Sequence, residues 1–240
     1  MRKKILMIGN TDGFPGVLVD IDDYYAFFTS PIGGNWHCDE IDILMNPTKR
    51  NLSRKLSEIE HAAYDYVIVI FSGHGCEEYN GIVLAINEHE MFAMRHLTNL
   101  SPKQLMILDC CRSYRVIDEE DACINNEAIA FSRFDNAIRH EYERMIENAV
   151  PQEIVLYSCD ENESSLISNE GSYYLQYLLA AAEMAMIQLH VPAKNVRRIH
   201  DAAVEMMRQD YPFSDQHPRI LEPHRLVHRR LPFVINPNRW

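Results

Sequence analysis

Two stretches of this sequence end in side chains suited to nucleophilic chemistry. Phe71-Ser72-Gly73-His74-Gly75 presents an imidazole between glycines, and Leu108-Asp109-Cys110-Cys111-Arg112-Ser113 presents adjacent thiols. Thiol attack on a carbonyl needs a sulfur, an imidazole to move its proton, and backbone N–H groups to receive the developing oxyanion. Taken alone, a histidine or a cysteine is usually a core residue. Here each directly follows a continuous apolar run (residues 66–71 and 104–108), and the interval between them is one that a single crossover between parallel strands can span. Glycines beside His74 would let backbone approach a substrate closely.

The elements that must carry these groups alternate between strand and helix signals, which predicts an α/β fold with a mostly parallel sheet. Residues 3–8 read as a first strand ending at Gly9-Asn10, and 17–30 as a helix closed by Pro31 and Gly33-Gly34. A strand over 40–45 precedes a helix with apolar positions Leu52, Leu56, Ile59 and Ala63. After the run at 66–71 come a hairpin-like piece at 81–86, a weak helical signal at 91–100 and the run at 104–108. Residues 134–149, 173–187 and 196–209 read as helices and 153–157 as a strand, with 231–235 expected to close the sheet. In open α/β sheets, functional residues gather where strands end. The acidic, irregular stretch at about 112–133 is expected to be a mobile or processable loop, and the whole of 1–240 one domain.

Hydrophobic residues make up 47% and charged residues 24% of the 240, an ordinary balance that excludes a disordered chain. A formal charge of −12 disfavours nucleic acid as a partner, because phosphate binding needs a basic surface. No apolar run is long enough to predict membrane insertion; the longest, 173–191, is interrupted by Gln176, Glu183 and Gln188. Four apolar residues after Arg2-Lys3-Lys4 are too few for a signal-peptide core, so a cytoplasmic setting with reduced cysteines is expected. The cysteines form no CxxC, hence no zinc pattern, and Gly9-Asn10-Thr11-Asp12-Gly13 is not a GxGxxG phosphate loop.

The paired motifs resemble the caspase-like superfamily of cysteine peptidases (the caspase–haemoglobinase fold), and within it the metacaspase and paracaspase branch, in the manner of a stand-alone prokaryotic member. The resemblance runs over most of the chain, through Thr48, Asn51-Leu52 and Leu56, then the histidine and cysteine motifs. It continues in Tyr157-Ser158-Cys159-Asp160 with Ser164, and in His217-Pro218 with Pro232-Phe233. It implies an α/β fold with a mostly parallel sheet of about six strands flanked by helices. By it Cys111 is the nucleophile and Cys110 its buried neighbour, His74 moves protons, and the N–H groups of Gly75 and Cys111 form the oxyanion hole.

Caspases proper cut after aspartate and need arginines in the primary pocket, one of them from the loop after the first strand. Residues 10–20 contain no Arg or Lys, and Asp22-Asp23 follow. Carboxylates favour a cationic partner, most strongly a bidentate arginine. By resemblance to members with basic specificity, Asp23, Ser72 and Asp109 are the expected pocket, with Arg preferred to Lys. The expected partners are therefore proteins or peptides with an exposed Arg or Lys, together with an upstream activator. Self-cleavage is expected at Arg115, Arg133 or Arg139. No cofactor is expected, although Asp118 resembles a calcium ligand of some relatives; a calcium site needs six to eight oxygens, and the acidic segment 76–80 is short. The competing reading is a non-catalytic adaptor of the same fold.

Overall fold

A computed structural model describes residues 1–113, 136–187, 192–212, 214–223 and 229–239. The strands are β1 (Lys3–Gly9), β2 (Ile41–Met45), β3 (Tyr66–Ser72), β4 (Gly75–Glu78), β5 (Gly81–Ala85), β6 (Met91–Ala93) and β7 (Lys103–Asp109). They continue with β8 (Gln152–Tyr157), β9 (Ile167–Ser168), β10 (Gly171–Ser172), β11 (Ala193–Asn195), β12 (Arg219–Leu221) and β13 (Pro232–Ile235). The helices are α1 (Gly16–Thr29), α2 (Lys49–Ala62), α3 (Asn136–Asn148), α4 (Tyr173–Ile187) and α5 (Val196–Asp210).

The main sheet has six strands in the order β12-β8-β7-β3-β1-β2, parallel except for β12. β1 and β3 are buried along their whole length. Their apolar runs are continuous because both faces of the sheet are covered. Side chains alternate between two cores. Ile68, Ile70, Leu105 and Ile107 pack on the side that includes Val17, Tyr24, Tyr174 and Leu178 of α1 and α4. Val69, Phe71, Met106, Leu108 and Cys110 pack on the side that includes Leu52 and Leu56 of α2 and Leu84 of β5. α2 is capped by Thr48, whose hydroxyl accepts the Asn51 N–H, and ends at left-handed Ala63.

Two expectations of local structure are corrected. Residues 91–93 are not helical; they pair with β5 as β6 and bury Phe92, and only a short 3₁₀ turn (Met94–Leu97) follows. The C-terminal run does not close the main sheet either. β13 pairs antiparallel with β11, and β12 takes the sheet edge beside β8. Most of the expected 112–133 loop lies outside the described residues. Among the described residues no helix is long and apolar enough to cross a membrane.

Candidate active site

β3 and β7 are neighbours in register, with Ser72 opposite Asp109. His74 and Cys111 therefore each leave the sheet two residues beyond a matched pair. Gly73 N–H donates to Asp109 O at 3.1 Å, which keeps the two departing backbones together. Gly75 then passes so close to the nucleophile turn that a Cβ there would lie 2.7 Å from Cys110 Sγ and 2.9 Å from Cys111 O. Only glycine fits this approach.

Around His74 the contacts are specific. Its Nε2 lies 2.8 Å from Asp12 O, and its ring packs on Phe14 with centroids 4.1 Å apart. A carbonyl can only accept, so Nε2 carries a proton, and in the neutral ring the lone pair is then on Nδ1. The two adjacent cysteines behave differently, as strand alternation demands. Cys110 is buried in the α2-side core, and burial pushes its thiol well up. Cys111 is half-buried; burial raises its thiol as well, opposed by the Ser165 N–H, which donates to Sγ at 3.3 Å. Arg112 then locks the turn: its guanidinium bonds Glu77 at 3.1 and 3.2 Å and stacks 4.5 Å over the Tyr157 ring. Its backbone pairs with Glu163 and Asn162 of the loop after β8.

Beside this turn, on the α1 and α4 side of the sheet, are two buried carboxyls. Asp20 accepts Ser72 Oγ at 2.6 Å and Ser172 N–H at 2.7 Å. Asp109 accepts Ser165 Oγ on Oδ1 at 3.0 Å, with the hydroxyls of Ser172 and Ser158 also favouring its charged form, while Oδ2 makes no hydrogen bond among the described residues. Burial raises both carboxyls, and Asp109 raises Asp20 further. The Tyr24 hydroxyl, on which both carboxylate charges act, is also buried without a hydrogen-bond partner among the described residues. Gly171, at φ +98°, admits Asp20: a Cβ there would meet Asp20 Oδ1 at 2.5 Å.

Of the sequence-predicted pocket residues, Ser72 and Asp109 thus stand across one ladder, but the acid bonded to Ser72 is Asp20. Asp23 lies most of a turn further along α1, half-buried, where burial and Asp22 raise its carboxyl. Asp20 was overlooked although its phase marks it: with Val17, Ile21 and Tyr24 it falls on the buried stripe of α1. Ser165 and Gln216 were overlooked as well, and loop sequence carries no periodic signal for them. Arg139, an expected cleavage position, is held by ion pairs. It lies in α3, bonded to Glu40 at 2.5 and 2.7 Å, to Asn35 O at 3.0 Å and to Glu143 at 3.0 Å. Arg115, Arg133 and Asp118 lie outside the described residues. Glu77, in the short acidic segment after His74, is taken by Arg112.

The family model described as the caspase domain matches residues 2–220. The chain belongs to that family of cysteine-type peptidases. Among solved structures it is similar to caspase-1 from Spodoptera frugiperda, with a TM-score of 0.58 and 14% identity over 92% of this chain and 86% of that one. At that identity the likeness speaks to the fold. A comparison with curated proteins gave no significant match.

Proposed function

We propose that this peptidase is an endopeptidase working through a His74–Cys111 dyad and cutting after a basic residue, Arg before Lys. The observation that carries the specificity is the pair of buried carboxyls beside the nucleophile turn: among the described residues neither Asp20 nor Asp109 forms an ion pair, and Asp109 Oδ2 has no hydrogen-bond donor. A buried acid without a counter-charge is costly, and an incoming guanidinium supplies both the charge and the missing donors. An aspartate side chain would instead meet like charge. Ser72 orients Asp20, and Asp23 contributes field from the half-buried side of α1. This charge pattern aligns the chain with the metacaspase-like members rather than with caspases that cut after aspartate.

The chemistry follows from the orientation of His74. With Nε2–H donated to Asp12 O, Nδ1 is the nitrogen that takes the Cys111 proton as sulfur attacks the carbonyl carbon. The N–H groups of Gly75 and Cys111 receive the oxyanion. The imidazolium passes its proton to the leaving amine, giving a thioester on Cys111. Water then hydrolyses it, with His74 as base and later acid. No step calls on a cofactor, and a free nucleophilic thiol suits a reducing, cytoplasmic setting.

A peptide-library cleavage profile, run with and without calcium and beside Cys111→Ala, tests this reading. Cuts after Arg and Lys that vanish in the variant support it. Cuts after Asp, or none in either protein, reject it. A rate that rises only with calcium would bring Asp118 in as a ligand.

A further inference from the structure

The loop between β8 and β9 packs against the nucleophile turn. Its Ser165 touches two things at once. The backbone N–H meets Cys111 Sγ at 3.3 Å, and the hydroxyl donates to Asp109 Oδ1 at 3.0 Å. Buried Gln216 fixes the residue from behind: its Nε2 donates to Ser158 O at 2.8 Å and to Ser165 Oγ at 3.4 Å, while its Oε1 accepts the Leu166 N–H at 3.1 Å. The loop is also stitched to the turn by Arg112 N–H to Glu163 O and Asn162 N–H to Arg112 O.

We propose that Ser165 is a positioning residue through which occupancy of the acidic pocket is relayed to the Cys111 sulfur. The inference rests on the basic-pocket reading above. Its hydroxyl, anchored on Asp109, aims its own N–H at the sulfur, and an N–H donor favours the thiolate over the thiol. A cation that binds Asp109 fixes the carboxylate in its charged, hydrogen-bond-accepting form and so tightens the anchor. Other titratable groups that interact with the carboxyl or the sulfur are Asp20 and Tyr24 from α1, Tyr174 from α4, Cys110 beside the nucleophile and Cys159 after β8, with His74 as the proposed dyad partner. None of them bonds to both the sulfur and Asp109, whereas Ser165 does.

The test uses benzamidine, a cation with no bond to cleave, and iodoacetamide, which reports the thiolate. Alkylation is followed by mass on the peptide carrying Cys111, as a function of pH. In the wild type, benzamidine should move the profile to lower pH and raise the rate below its midpoint by about threefold to tenfold. Ser165→Ala should move the free profile to higher pH and reduce the benzamidine effect to less than about twofold, with benzamidine affinity held within about fivefold. Ser165→Thr, which keeps a hydroxyl, should restore the effect. Ser165→Gly serves as a second hydroxyl-free variant if the alanine protein lacks a native near-ultraviolet dichroism spectrum.

An unchanged benzamidine effect in the hydroxyl-free variants overturns the proposal, because charge acting through space would then suffice. So does a wild type that binds benzamidine without any change in rate, or a Ser165→Ala protein that no longer binds it. If the wild type does not bind benzamidine at all, the basic pocket itself is refuted, and the relay with it.

Discussion

Ser72 and Asp20 are joined by a 2.6 Å hydrogen bond that ties the end of a central strand to the middle of the first helix. The same carboxylate takes the Ser172 N–H on its other oxygen, so two distant parts of the chain converge on one acid of the first helix. Asp20 is fully buried, and the neighbouring charge that acts on it, Asp109, is also an acid. Like charges brought together in a dry site need a positive guest, and the first prediction follows from that need.

Asp20→Asn should lower kcat/KM for an arginyl substrate by about 100-fold, the loss of one charged, hydrogen-bonded contact. Asp23→Asn, from the half-buried position, should cost no more than about threefold. Fluorogenic peptides with Arg, Lys and Asp before the scissile bond measure both. Equal losses in the two variants would return the principal role to Asp23.

Cys111→Ala and His74→Ala should each reduce turnover by about 1000-fold or more, and the double variant by little more than either alone. Cys110→Ala should keep the reaction, because that thiol is buried in the α2-side core, and should cost stability in its place. Active-site titration with an arginyl electrophile separates the two cysteines. Labelling of Cys111→Ala would reverse their assignment.

The acid pair also predicts how stability responds to pH. Asp20 is raised from 3.8 to about 8 and Asp109 to about 6, so the empty folded enzyme holds protons that the unfolded chain releases. Stability from the pair is therefore fully present below about pH 4 and is lost as pH rises towards 8. Burial lowers His200 to about 4, which works in the opposite direction below pH 6.5 but is common to wild type and variant. The difference between the melting curves of wild type and Asp20→Asn, followed from pH 5 to 7.5, should thus move against the wild type as pH increases. Benzamidine should stabilise the wild type more at the upper end of that range. A constant difference would mean that the pair does not hold an extra proton.

Arg112→Ala should destabilise the protein by about 3 kcal/mol, since it strands Glu77 without its partner and uncovers the Tyr157 ring. Urea unfolding measures the loss. Activity should fall with it, because the same side chain steadies the turn that carries Cys111.

The strands that hold the site were readable because burial on both faces leaves an unbroken apolar run, and β3 and β7 both end within a residue of the expected positions. The hairpin partner β6 was not, because three residues carry too little pattern and owe their conformation to pairing with β5. The same holds for β12, a short segment between Pro218 and Pro223 whose strand character comes from Tyr157, Leu156 and Val155 beside it. The proposed pocket is half legible. Asp109 and Ser72 announce themselves at strand ends, whereas choosing among Asp20, Asp22 and Asp23 requires the phase of α1. Ser165 meets Cys111 and Asp109 only when a loop folds across the turn.

The strand order has a consequence for processing. β7 belongs to the stretch before residue 114 and β8 to the stretch after residue 135, yet they lie side by side in the main sheet. Arg139 and Glu143 of α3 clasp Glu40 and Lys3 from the amino-terminal part. Scission anywhere between would therefore leave a nicked particle that elutes as one species and separates into two fragments only on denaturation. Size alone, measured under native conditions, would not distinguish the intact enzyme from the clipped one.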